Sequence, residues 1–100
     1  MFYIKCIWKH DTKREPIILY WEMDDDRYEC RKIEIYGDGR FGIADETRPA
    51  GETWLADVKI PPLSEINKDE QFEATEISRT EFKKIWNGYS PGLDSGRHSA

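Results

Sequence analysis

Apolar and polar side chains alternate over residues 2–9, so that Phe2, Ile4, Cys6 and Trp8 share one face of an extended segment. The intervening residues share the opposite face. A period of two residues is the spacing of a β-strand. The pattern therefore predicts a strand at this position, with one row of apolar side chains directed into a core.

The next two segments predict the centre of a sheet. The run from Ile17 to Glu22 follows Pro16 and carries apolar residues on both faces, which is typical of a central strand. A third strand is predicted over residues 27–36, where the apolar alternation changes phase. A β-bulge near Arg31 and Lys32 would explain the change, because a bulge inserts one extra residue into a strand.

A hairpin and a less regular region come next. Residues 37–39 (Gly-Asp-Gly) predict a tight turn, because hairpin turns favour residues that accept positive φ. The return strand over residues 40–45 completes a predicted meander of four antiparallel strands. Residues 47–52 are predicted to form a loop, and residues 54–60 are a candidate fifth strand. The proline pair at 61–62 ends this candidate strand, since proline cannot donate a hydrogen bond to a β-ladder.

The last third of the sequence predicts two helices. Ser64 opens a short helix over residues 65–69. Ser78 and Glu81 have the spacing of a capping box, with Ser78 as the N-cap. The helix that follows has apolar residues on one face, which predicts that it packs across the sheet. Gly88 is the expected stop.

Together these elements predict an α+β fold in a single domain over residues 1–89. Its antiparallel β-sheet has four to six strands, a C-terminal amphipathic helix packed on one face, and a second short helix. Residues 90–100 are rich in glycine and serine and are predicted to form a flexible tail. A chain of 100 residues is long enough for one modest core.

The sequence also favours a cytoplasmic protein that does not cross a membrane. It contains no apolar run of about 18 residues, the length that a membrane-spanning helix needs. The alternating first ten residues do not resemble the continuous apolar core of a signal peptide.

The charge balance is acidic, with 20 Asp and Glu against 15 Lys and Arg and a net charge of −5. Nucleic-acid binding draws much of its affinity from Lys and Arg that neutralise phosphates. Here the basic residues are scattered in pairs rather than grouped in a patch. The composition therefore argues against a nucleic-acid partner and favours a cationic one.

The residues that usually carry chemistry are too sparse to predict an enzyme, a metal site or a cofactor. A metal hydrolase would need more ligands than His10 and Asp11. A ribonuclease pairing His10 with His98 would need both held in place, but His98 lies in the predicted tail. Cys6 and Cys30 are predicted to be buried free thiols.

Two acidic segments are candidates for a partner-binding surface, although each is also typical of a solvated face. Residues 24–26 are three consecutive aspartates, which lack the alternate ligand spacing of a calcium loop. Residues 65–76 carry five carboxylates and one lysine. Trp21 and Trp54 either fill the core or anchor the interface, since tryptophan is enriched in interface hot spots. The predicted partner-binding residues are Asp24, Asp25, Asp26, Trp21, Trp54, Glu65, Asp69, Glu70 and Glu73.

Three segments, at 3–11, 27–42 and 61–86, resemble a family of small bacterial domains. These domains are strand-rich in their N-terminal half and end in a helix with an EIS-x-x-EF-x-x-x-W-like pattern. That pattern begins here at Glu76 and closes at Trp86. The resemblance covers about residues 2–88 and implies no enzymatic activity.

In size, acidity and general character, the chain is also similar to immunity proteins of bacterial toxin–immunity pairs, including those of contact-dependent growth inhibition. This second resemblance implies a monomer that binds a cognate toxin domain in a 1:1 complex. Such a toxin is frequently a nuclease, whose basic cleft would attract an acidic inhibitor. Two alternatives remain at this point: a small-ligand-binding domain, which needs a concave pocket with convergent polar groups, and a general protein-interaction module.

Overall fold

The computed structural model describes residues 1–46, 48–50 and 53–89, with residues 48–50 described for their backbone only. The predicted α+β class is confirmed, with six strands and two helices in the described ranges. The elements are β1 (Phe2–Trp8), β2 (Ile18–Met23), β3 (Glu29–Ile35), β4 (Phe41–Asp45), β5 (Arg48–Ala50), α1 (Leu63–Ile66), β6 (Phe72–Glu76) and α2 (Arg79–Tyr89). The predicted tail, residues 90–100, lies outside the described residues.

The strands form one antiparallel sheet in the order β5-β4-β3-β2-β1-β6. Strands β1 to β4 form the predicted meander, and Gly39 provides the positive φ (91°) that the hairpin turn requires. Strands β5 and β6 lie at opposite edges of the sheet. The chain between them, described over residues 53–71 and called the crossover below, carries α1 along one face.

The predicted bulge in β3 is present and lies at Cys30. Glu22 pairs with Arg31, whereas the next residue, Met23, pairs with Glu29, so that Cys30 has no opposite residue on β2. The extra residue changes the phase of the strand. It thereby allows Glu29 and Lys32, which are three residues apart, to lie on the same face, where they form an ion pair at 3.0 Å.

The assignment of the edge strands from the sequence was wrong. Residues 54–60 do not form a strand, whereas β5 lies at 48–50 in the predicted loop and β6 lies at 72–76 in an unassigned polar stretch. Strand β6 has no distinct apolar alternation, because Ala74 is the one buried residue among its five. In contrast, Trp54 and Val58 in the rejected strand are largely exposed.

The sheet is covered on both faces. On the α2 face, a core cluster joins strands β1 to β4 to the helix; its members are Tyr3, Tyr20, Ile33, Ile43, Phe82 and Trp86. On the opposite face, called the crossover face, a second cluster joins the sheet to the crossover; its members are Ile4, Cys6, Leu19, Met23, Ile60 and Ala74. Helix α2 therefore packs as predicted, and α1 with its flanks forms a second cover.

Helix α2 begins as its sequence predicts. The Ser78 side-chain oxygen accepts a hydrogen bond from the backbone N–H of Glu81 at 3.0 Å, as an N-cap does. Phe82 and Trp86 are its buried residues. The expected stop was wrong, because the helix continues through Gly88 to Tyr89.

A buried ion pair fastens α2 to the sheet. The Arg31 guanidinium donates two hydrogen bonds of 2.7 Å to the carboxylate of Glu22, whose side chain is 8% exposed. The same guanidinium lies 5.1 Å from the ring centre of Phe82 and 5.0 Å from that of Trp86, within range of cation–π attraction. The pair thus links β2 and β3 to both buried aromatic rings of the helix.

The environment of Glu22 favours its charged form. Burial alone would raise the pKa of this carboxyl group, but hydrogen bonds and positive charge from Arg31, with a hydrogen bond from Tyr3, lower the pKa below its ordinary value. A carboxyl group with a lowered pKa in the folded state stabilises the fold above its ordinary pKa. This stabilisation is lost as the pH falls through the lowered value.

Substituting Arg31→Met should lower the free energy of unfolding at pH 7 by about 3–5 kcal/mol, because it leaves a buried carboxylate unpaired. The loss should shrink in acid, where Glu22 becomes protonated. Urea unfolding at neutral and acidic pH measures both effects. Lys9→Met is the matched control, since Lys9 forms an exposed pair with Glu73 at 3.9 Å, and such pairs contribute about 0–1 kcal/mol. Equal losses in the two variants would contradict the role of the pair.

A single asparagine closes part of the β6 edge. The Asn67 side chain accepts a hydrogen bond from the Ala74 N–H (2.7 Å) and donates one to the Ala74 carbonyl (2.9 Å). An edge strand otherwise offers such groups to another chain. Asn67 is also the C-cap of α1, so the contact ties this helix to the sheet.

Substituting Asn67→Ala should lower the free energy of unfolding by about 1–3 kcal/mol, because both backbone groups of Ala74 lose their partners. Asn87 lies exposed on α2 and is the matched control. Asn87→Ala should leave stability unchanged or slightly higher, because alanine has the higher helix propensity. Thermal unfolding of the two variants decides the point, and an equal melting temperature would refute the structural role of Asn67.

Candidate functional site

A groove opens on the crossover face where α1 meets the sheet. Its apolar wall combines Trp21 from β2, Ile60 and Pro61 from the crossover, Ile66 from α1 and Phe72 from β6. Its volume is about 360 Å³, at the lower end of the range of about 300–1,000 Å³ for ligand pockets. This space suits one large side chain or a small molecule.

Two carboxylates complete the lining, and we call the whole the acidic groove. Glu65 comes from α1 and Asp69 from the turn that follows it, and no cationic residue lines the groove. Lys68 lies 3.0 Å from the Glu65 carboxylate, but both side chains are more than half exposed. An exposed pair of this kind is weak. The lining therefore presents an excess of negative charge beside an apolar surface.

The wall formed by Ile60 and Pro61 is held in place by Arg27. This side chain donates hydrogen bonds of 2.7 Å to the carbonyl oxygens of both residues. The backbone carbonyl of Arg27 accepts a third bond, 2.8 Å long, from the Ile60 N–H. Among the described residues, Arg27 is the one non-glycine residue with a positive φ (71°). This backbone conformation costs energy, and the three hydrogen bonds hold Arg27 in it.

Asp24 of the predicted acidic turn helps to build this local structure, whereas the other two aspartates, Asp25 and Asp26, are exposed. One Asp24 carboxylate oxygen accepts hydrogen bonds from the backbone N–H groups of Asp26 (2.9 Å) and Tyr28 (3.0 Å), as in an Asx turn. Asp25 lies 3.0 Å from the N-terminal ammonium group. None of the three aspartates lines the acidic groove. The turn instead leads directly into Arg27, which holds the groove wall.

The two predicted tryptophan anchors have different environments. Trp21 lies in the groove lining, and its Nε1 atom is buried without a hydrogen-bond partner. Trp54 is 66% exposed and lies outside the groove. Because a buried unpaired N–H group costs about 1–3 kcal/mol, the indole N–H of Trp21 offsets part of the stability that its packing provides.

Buried charges on β3 hold the crossover, a role that the sequence did not predict for them. Lys32 lies 3.0 Å from Glu29 and donates to the Trp54 carbonyl oxygen at 3.0 Å. Glu29 also accepts a hydrogen bond from the Ala56 N–H at 2.8 Å. Glu29 and Lys32 lie three residues apart in a segment with alternating apolar residues. This spacing was the one indication of the ion pair in the sequence, but many exposed pairs of charged residues have the same spacing.

The predicted acidic window, residues 65–76, does not form one surface. Glu65 and Asp69 meet at the groove, whereas Glu70 is exposed outside its lining. Glu73 lies on β6 next to Ala74, which belongs to the core of the crossover face. Successive strand residues point to opposite faces, so Glu73 lies on the α2 side, where it pairs with Lys9.

His10 is used structurally. Its Nδ1 accepts a hydrogen bond from the Thr12 N–H at 3.2 Å, so Nε2 carries the proton that it donates to the Pro16 carbonyl oxygen at 2.7 Å. With both ring nitrogens engaged, this histidine has no free lone pair for a metal or a substrate proton. His98 lies outside the described residues. Within the described ranges, no three His, Cys, Asp or Glu side chains are grouped so as to bind a metal ion.

The prediction for the two cysteines is confirmed. Cys6 and Cys30 are both buried free thiols. Burial raises the pKa of the Cys6 thiol to about 11, which keeps it protonated and unreactive near neutral pH.

A model of one protein family matches residues 2–91, and its description is a domain of unknown function, DUF6881. The chain belongs to this family. Comparison with curated proteins and with solved structures found no match. None of the helices in the described residues of this DUF6881 domain is long and apolar enough to cross a membrane.

Trp21→Phe should cost less stability than Trp8→Phe. The first substitution removes a buried N–H group without a partner, which offsets part of the lost packing. The second breaks the hydrogen bond from Trp8 Nε1 to the Gln71 side chain, which is 3.2 Å long. Both tryptophans pack against the same core cluster and are matched in size. Chemical unfolding compares them; a larger loss for Trp21→Phe would show that its N–H group is stabilising.

Proposed function

We propose that this DUF6881 domain acts by binding a basic protein, with the acidic groove at the centre of the interface. The observation that carries the proposal is the lining itself, which joins a tryptophan-containing apolar wall to two carboxylates without a cation. Interface hot spots combine a buried apolar centre, often with tryptophan, and a polar rim. The exposed Asp26 and Glu70 add to the negative field without lining the groove.

The specific form of the proposal is a cytoplasmic immunity protein that neutralises a cognate toxin domain, without catalysis, in a 1:1 complex. The net charge of −5 supports this form. A nuclease toxin must present positive charge to phosphates. An acidic inhibitor meets such a surface quickly, because complementary charges steer the encounter.

A small-ligand-binding domain is the second candidate, and the volume of the groove favours it. At about 360 Å³, the space is large enough for a small organic cation. Binding of such a compound with micromolar affinity, in the absence of any protein partner, would favour this reading over the first.

The test is co-expression with the product of the adjacent gene, scored by survival and by co-purification. We expect rescue of a lethal neighbour and a stable 1:1 complex. The association rate should fall as salt rises from about 0.05 to about 0.5 M, because ions screen exposed charges. A neighbour that is harmless, or toxic but not bound, would remove the basis for the immunity proposal.

A matched pair of charge reversals locates the interface. Glu65→Lys places a cation in the groove and should weaken the complex by at least about tenfold, because like charges then face each other. Glu73→Lys makes the same change on the opposite face and should leave affinity within about twofold. The two carboxylate side chains are similarly exposed, at 55% and 59%. Equal effects, or a larger effect at Glu73, would place the interface elsewhere.

A further inference from the structure

We propose that the acidic groove captures one arginine side chain of the partner. The aliphatic part of that side chain would lie along the apolar wall, and its guanidinium group would meet Glu65 and Asp69. This inference rests on the proposed protein-binding function and names the chemical group that the groove recognises.

The charge of the lining selects a cation. Glu65 and Asp69 are its charged members, and both are acidic. The nearest described counter-ion, Lys68, contacts Glu65 from outside the lining, through side chains that are more than half exposed. Such a pair is easily exchanged for a better one. An anionic occupant would instead meet two carboxylates beside a low-dielectric wall.

The apolar wall selects a cation with a long stem. Trp21, Ile66 and Phe72 contribute carbon surface from three separate elements, and the wall makes up most of the lining area. A compact hydrated cation would leave this surface uncovered. Lysine and arginine bury their methylene groups on apolar surfaces while keeping the charged end near polar groups.

The aromatic residues favour arginine over lysine. A guanidinium group stacks on aromatic rings and forms paired hydrogen bonds with a carboxylate, which an ammonium group cannot do. The protein uses this combination on its other face, where Arg31 forms two bonds with Glu22 against Phe82 and Trp86. The acidic groove holds the matching aromatic and acidic groups without the arginine.

The groove is held rigid in advance of binding. Arg27 fixes the wall at Ile60 and Pro61 through two hydrogen bonds. Asn67, which lies between the two carboxylates in sequence, is bonded twice to Ala74 of β6. A preorganised site loses less freedom on binding and so retains more of its interaction energy.

The test is a titration of the ¹⁵N-labelled full chain with an acetylated and amidated pentapeptide, Gly-Gly-Arg-Gly-Gly, followed by NMR. We expect shifts concentrated at the Trp21 indole N–H and at the amides of residues 65–72. The affinity of a single side chain should be weak, on the order of 1 mM. Peptides with lysine, and with norleucine as the uncharged analogue, should bind progressively more weakly.

The variants Glu65→Gln and Asp69→Asn should each weaken binding of the arginine peptide about two- to fivefold, the contribution of one exposed ion pair. Glu70→Gln removes a charge from the same turn but not from the lining, and should have no effect. Unchanged spectra for the rest of the sheet establish that each variant is folded. Norleucine binding as tight as arginine, tighter lysine binding, or shifts outside the groove would each overturn the inference.

The two proposals fail in different ways. A partner that co-purifies equally with wild type and with the Glu65→Gln/Asp69→Asn double variant, while the arginine peptide causes no shift, would retain protein binding and overturn the arginine site. Binding of the arginine peptide at the groove, in a chain for which no protein partner is found, would support the recognition chemistry and count against the proposed function.

Discussion

The structure depends on one constraint: strands β1 and β2 each carry apolar side chains that pack on both faces of the sheet. Along β1, Tyr3 lies under α2 while Ile4 and Cys6 belong to the crossover face. A sheet of this kind must be covered twice, because either exposed face would leave a continuous apolar surface in water. Helix α2 covers one face. The other face requires the crossover, and the crossover has only one short helix with which to cover it. The acidic groove lies at the place where this second cover meets the sheet.

Charged and polar side chains hold both covers in place. The Glu22–Arg31 pair fastens α2, and Arg27 and Asn67 fasten the crossover through its backbone and through β6. The Glu22–Arg31 pair is largely enclosed by protein, where a hydrogen bond is stronger and its loss more costly than in water. The acidic composition therefore has two origins. Some carboxylates, such as those of Glu22 and Asp24, are structural, and others remain available to a partner.

This arrangement gives the groove the features on which its proposed binding role rests. An apolar wall built from Trp21 and its neighbours is stabilised from behind by hydrogen bonds that do not involve the occupant. Two carboxylates lie at the wall without a cation in the lining. The Nε1 atom of Trp21 is buried without a hydrogen-bond partner, so this indole stabilises the fold through its packing and not through its N–H group. Rigidity, apolar surface and a net negative charge in the lining are together what an interface with a basic partner needs at its centre.

The sequence by itself determined the meander, the bulge in β3 and the start of α2, because each depends on residues near one another in the chain. Alternation defines a strand, a glycine accepts the positive φ of a turn, and Ser78 caps the helix that follows it. Only the tertiary structure decided where the edge strands lie and which residues meet at the groove. Strands β5 and β6 have weak local patterns and form because β4 and β1 offer them unpaired backbone groups. Trp21 and Asp69 meet because the crossover returns across the sheet, and a one-residue step along β6 places Glu73 on the other face. Such relations depend on pairing between distant segments, which local periodicity does not encode.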